Sequence, residues 1–181
     1  MQAVTLLFYL AFFGYILDLG MFLRRLVLSR PVLRSQRWVL YGAFALHTLS
    51  LIGRAVQMKQ CPIFSLHDSV SFLAWATMLG CMLLRWRFPR SSLEGFAPAV
   101  AAALMGVSML LGYTPPMPIN VPERAWVSMH AGLYFLGYAA FAIAFLSGGV
   151  YLLMENQLKK KHLRDFSGNF GSLDAMDKIN H

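Results

Sequence analysis

Acidic residues are scarce in this chain. Its 181 residues hold eight Asp and Glu against sixteen Lys and Arg, a formal net charge of +8. Cysteine is scarcer still, at two, and neither CxxC nor CxxCH occurs. The chain therefore has no thiol redox pair and no covalent haem attachment site of its own. HExxH, a Walker loop, GxSxG and paired carboxylates are also missing, which leaves hydrolysis and phosphoryl transfer without visible residues. An enzyme acting alone is not expected, and no residue is assigned a catalytic role.

What the chain has in abundance is apolar surface. Hydrophobic residues make up 57% and charged residues 13%, with a mean hydropathy of +0.54. A soluble domain of this length could not hide that much in one core. A hydrocarbon slab of roughly 30 Å takes about 20 helical residues to cross. Five stretches near that length are predicted as spans: 3–23, 38–56, 69–85, 95–113 and 126–154. The expected fold is an all-α polytopic membrane bundle (1–154) followed by a basic amphipathic tail (155–181). The first stretch has no basic residue ahead of it and no small-x-small cleavage pattern, so it reads as a retained helix.

The basic residues orient the bundle. Arg24, Arg25, Arg30, Arg34 and Arg37 follow the first span, Arg85, Arg87 and Arg90 the third, and Lys159, Lys160, Lys161, Arg164 and Lys178 the fifth. Thirteen of sixteen cations thus fall on one side, leaving Arg54, Lys59 and Arg124 on the other. Cytoplasmic loops carry such an excess. The N-terminus is expected outside and the C-terminus in the cytoplasm, with the surplus charge facing anionic lipid rather than nucleic acid.

The first outer loop, 54–68, contains Cys61-Pro62 and leads into Ser69, with Asp68 or Ser69 expected to cap the third helix. Cys81 lies too far along that helix to bridge to Cys61. The second outer loop, 114–123, carries Pro115, Pro116, Pro118 and Pro122 and reads as an extended spacer. Ala140, Ala144 and Gly148, and on span four Ala99 with Ala103 and Ala102 with Gly106, are spaced for close helix packing in lipid.

Ionisable groups within the slab are costly, roughly 2.5 to 3.5 kcal/mol for a charge at its centre. His47 lies nine residues past Trp38, about 13 Å of rise and close to the midplane. It reads either as a metal ligand or as a hydrogen-bonded contact between helices. Asp18 is expected to snorkel toward Arg24 or Arg25. His130 sits at the outer mouth of the fifth span with Tyr134 and Tyr138 on the same face, His67 is also on the outer side, and His162 is in the tail. Axial histidine is a common way to hold haem iron.

Two stretches carry a resemblance. The first has Leu46-His47-Thr48 and Arg54, then Cys61-Pro62 and Phe72-Leu73-Ala74-Trp75; the second, 126–161, has Met129-His130, Tyr134, Gly137-Tyr138, Phe141 and Glu155-x-x-Leu158-Lys159. Both resemble the CcsA/ResC/HemX group of cytochrome c assembly membrane proteins, and the tail motif Ser172-Leu173-Asp174-x-x-Asp177-Lys178 resembles the group's short segment that follows. The similarity is to the first part of the group only. Its WGxxWxWD-type outer loop is absent, since Trp38, Trp75, Trp86 and Trp126 are scattered.

The resemblance implies a haem-handling component of cytochrome c biogenesis in a bacterial inner membrane. Its partners would be a ResB/CcsB-type membrane protein and apocytochrome c. It also implies His130 as an axial haem ligand and His47 as a second, weaker haem-binding candidate, with no ligand role carried to His67. The alternative is a non-enzymatic assembly or regulatory subunit, HemX-like, whose tail docks a partner. A split or shortened member of the group and a small transporter rank behind these.

Overall fold

The computed structural model describes residues 2–28, 34–88, 93–113 and 121–159. They form five helices: α1 Gln2–Leu28, α2 Arg34–Met58, α3 Leu66–Arg87, α4 Leu93–Leu111 and α5 Val121–Lys159. No strand occurs among the described residues. In lipid this is the expected solution, because a helix satisfies its own backbone and leaves no polar edge. Four of the five predicted spans sit inside one helix each, while the fourth, 95–113, runs two residues past the end of α4 at Leu111.

Four of the five are long and apolar enough to cross a bilayer: Gln2–Arg25, Ser35–Met58, Leu66–Arg87 and Ala125–Leu153. The apolar part of α4 is shorter, Gly95–Leu111. At 1.5 Å per residue it rises about 25 Å, a shortfall that local thinning can absorb. α4 is nonetheless deep in the bundle, packed against α3 and α1, with Ala97, Ala101 and Met105 fully buried.

α1 packs extensively along α2. Gly14 permits it, since a Cβ there would lie 2.7 Å from the Cβ of Ala43. The core that results joins Phe8, Tyr15 and Phe22 of α1 to Met78 of α3 and Met105 of α4. Outward-facing Leu, Phe and Trp side chains are numerous, among them Phe13, Trp38, Phe141 and Phe145. A membrane protein presents such groups to lipid tails, so their exposure here is ordinary.

Three local expectations are corrected. The N-cap of α3 is Ser65, whose side chain accepts from the Asp68 N–H; Asp68 itself lies three residues in, one turn earlier than the hydropathy pattern suggested. Pro122 and Glu123 already belong to α5, because proline is tolerated in a first turn where its missing N–H has no partner. The rest of that loop, 114–120, lies outside the described residues. On α5, Ala140 and Ala144 are exposed and a Cβ on Gly148 would meet nothing. The packed face is instead Ala139, Ile143, Ser147 and Val150, one position away, because spacing alone does not say which of two neighbouring stripes meets a partner. The expected basic tail is described only in part: α5 continues through Glu155 to Lys159, and 160–181, with His162, lie outside the described residues.

Candidate functional site

Polar side chains inside the bundle gather between α2 and α3. These helices are held by rungs that run inward from the end that the cation distribution assigns to the outer face. At the outer end Arg54 donates from Nε and Nη2 to the two oxygens of Asp68, at 2.9 and 3.1 Å. Asp68 also accepts from Ser65 Oγ at 2.7 Å. Deeper, His47 Nε2 lies 3.1 Å from Ser71 Oγ, and its Nδ1 lies 3.4 Å from the Tyr15 hydroxyl of α1. Beside it Trp75 donates from its indole nitrogen to Thr48 at 2.9 Å and stacks on Phe44. His47 is fully buried, and both ring nitrogens are occupied.

This explains how a midplane imidazole is accommodated. Each nitrogen meets a hydroxyl that can donate or accept, so a neutral ring is satisfied in either tautomer. Replacing His47 by phenylalanine is expected to strand Tyr15 and Ser71 and to lower stability by about 1–3 kcal/mol. The thermal midpoint of the detergent-solubilised protein measures it; an unchanged midpoint would mean the two hydroxyls find other partners.

His130 is on an exposed face of α5, its ring edge-on to Tyr134 with centroids 4.7 Å apart, and Tyr138 follows at 6.4 Å from Tyr134. Among the described residues no hydrogen bond occupies either nitrogen. His47 and His130 are therefore not brought into one site: one is locked among α1, α2 and α3, the other displayed on α5.

Asp18 has Arg25 beside it, as expected, together with Gln36, but it is buried at 1% exposure, so the pairing lies inside the bundle and not at the water interface. Cys61 and Cys81 are both free. Burial pushes the Cys61 thiol above its ordinary value, which keeps it protonated and a poor nucleophile near neutral pH. No cluster of three His, Cys, Asp or Glu side chains able to hold a bare metal ion occurs among the described residues.

A cleft of about 210 Å³ opens at the outer end where α1, α2, α3 and α4 converge. Phe8, Leu51 and Met109 give it apolar walls, and Arg54, His67 and Tyr113 give it polar ones. The Arg54 guanidinium lies 4.3 Å from the centre of the Tyr113 ring. The resemblance carries no ligand role to His67, and the sequence reading passes over Ser71, Ser108 and Tyr15 as site residues. Their signal was present: Ser50, Ser71, Ser108 and Thr77 are hydroxyls inside apolar runs, and all are buried.

The rungs between α2 and α3 use His47, Thr48, Arg54 and Trp75, four of the residues that carry the resemblance noted above. Residues 37–181 match the family described as Cytochrome C assembly protein. The chain belongs to the cytochrome c assembly protein family. It is 25% identical to Protein HemX of Brevibacillus brevis over 82% of its own length and 55% of that relative. It is 29% identical to Protein NrfI of Wolinella succinogenes over 70% of the chain and 14% of that relative. Against Cytochrome c biogenesis protein CcsA of Guillardia theta the figures are 22%, 74% and 51%. The chain thus spans about half the length of the HemX and CcsA relatives. No solved structure matches it. It is a helical membrane protein of that family, with four helices long and apolar enough to cross a bilayer.

Proposed function

We propose that this assembly-family protein handles haem at the outer face of a bacterial inner membrane. It presents haem for attachment to apocytochrome c, as one part of a complex with a ResB/CcsB-type membrane partner. The observation that carries the reading is the family match across 37–181, together with a histidine exposed on a helix of the bundle with both nitrogens free of hydrogen bonds among the described residues. Haem supplies an iron centre that takes axial nitrogen ligands. The donor chemistry here fits such a group: His130 is accessible, and Tyr134 offers an aromatic edge beside it.

His130 would be the axial ligand in this reading. His47 would reach iron only by giving up Ser71 or Tyr15, so its first role is to hold α1, α2 and α3 in register, with haem contact secondary. The apocytochrome brings the thiols for thioether attachment; this chain orients and retains haem until they arrive. The N-out orientation places His130 at the outer end of α5 and the surplus cations at the inner surface.

The test is the visible spectrum of the purified protein with haem available. The parent is expected to show a Soret band that His130→Ala shifts and weakens and that His47→Ala alters less. A parent without a Soret band, or one indifferent to both substitutions, would rule out haem ligation by these residues.

A further inference from the structure

The outer cleft holds a histidine whose tautomer the structure fixes. His67 Nδ1 lies 2.8 Å from the backbone carbonyl oxygen of Ser108. A carbonyl can only accept, so Nδ1 must donate, and the neutral ring carries its hydrogen there. Ser108 Oγ lies at the same 2.8 Å from Nδ1, and its own hydrogen is spent on the His67 backbone carbonyl at 2.8 Å. Nε2 is left with a lone pair and no partner among the described residues. A ligating histidine is prepared in this way, one nitrogen donating to a fixed acceptor so that the other is free and basic.

The surroundings suit one class of ligand. The Phe8 ring lies 5.2 Å from the His67 ring, and Leu51, Met109 and Tyr113 complete an aromatic and aliphatic wall. Arg54 uses Nε and Nη2 on Asp68, which leaves three of its five N–H donors for a carboxylate entering the cleft. An apolar plane with a metal at its centre and carboxylates at its rim matches that set. The volume, about 210 Å³, is below the roughly 300–1,000 Å³ of ordinary ligand pockets, so the cleft would take only part of such a molecule.

Depth supports the same conclusion. Short connections make neighbouring helices antiparallel, so α3 and α5 run in the same direction. Phe72 of α3 meets Phe135 of α5 at 5.7 Å, and Ile143 of α5 lies over Gly80 of α3. Both pairs have one sequence offset, and that same offset separates His67 from His130. The two histidines are therefore level, near the outer end of the bundle, on different helices.

We infer that His67 is a second haem-iron donor, holding the porphyrin in the outer cleft through Nε2 with Arg54 receiving a carboxylate, at the depth where His130 is displayed. This rests on the haem-handling reading above and adds a site to it. The test is titration of the full-length, detergent-solubilised protein with haem, comparing the parent, His67→Ala, His130→Ala and the double variant, each checked for helix content by circular dichroism. Loss of even an outer-shell partner weakens a metal roughly 10–100-fold. His67→Ala is expected to weaken at least one haem-binding event by about tenfold or more and to shift its Soret band, with added imidazole restoring the parent spectrum. A parent that binds haem while His67→Ala matches it in stoichiometry, affinity and spectrum overturns the inference and leaves the broader reading intact. A parent that binds no haem overturns both.

Discussion

Arg54→Leu is expected to destabilise the protein by about 3–5 kcal/mol, the cost of leaving one member of a buried ion pair without its partner. Asp68 is 2% exposed and Arg54 13%, so the carboxylate left behind is largely shielded from bulk water. The loss includes the contact with Tyr113, worth about 0.5–2 kcal/mol for a cation over an aromatic face. The double variant Arg54→Leu/Asp68→Leu is expected to recover most of the stability, because two apolar groups of similar size carry no desolvation penalty. Ser65 still caps α3 in that double variant, since it accepts from the backbone N–H of position 68. Thermal midpoints in detergent for the parent, both single variants and the double variant measure the coupling. Single variants as stable as the parent would show that the pair is solvated and not structural.

The second large effect concerns the α1–α2 contact. Gly14→Ala is expected to destabilise by about 1–3 kcal/mol, and Gly14→Leu by more, since overpacking forces backbone shifts. The new Cβ would stand 2.7 Å from the Ala43 Cβ and 3.4 Å from its Cα; neither atom can rotate away. Gly20→Ala on the same helix is the control. Nothing lies within 4 Å of a Cβ there, and alanine favours a helix over glycine by roughly 0.5–1 kcal/mol. Opposite signs at positions 14 and 20 are therefore predicted, with Ala43→Gly restoring part of the loss at 14. Equal responses at the two positions would mean that α1 and α2 are not in this close register.

The case of His47 indicates how far residues read alone can go. A lone imidazole near the midplane poses a choice between ligand and interhelix contact, and hydropathy has no means of choosing. The choice depends on whether Tyr15, 32 positions away, and Ser71, 24 positions away, face it. His67 illustrates the opposite limit. Its neighbours in sequence say nothing of Ser108, 41 positions on, yet that residue alone fixes which nitrogen is free. The Ser65-x-x-Asp68 spacing was the one local cue that α3 begins at this end of the loop, and it would have pointed to the outer cleft.

Composition and the distribution of cations determined the solvent, the helical class and the expected sense of insertion, because each is a sum over many residues in which no single contact matters. Local motifs added the family. Which stripe of α5 packs, that His47 is tied on both nitrogens, that Arg54 closes on Asp68, and that His67 is level with His130 were decided only by the tertiary structure. Each depends on the rotation and register of one helix against another, and lipid, being as apolar as the side chains it touches, leaves those to shape and to a few buried polar contacts.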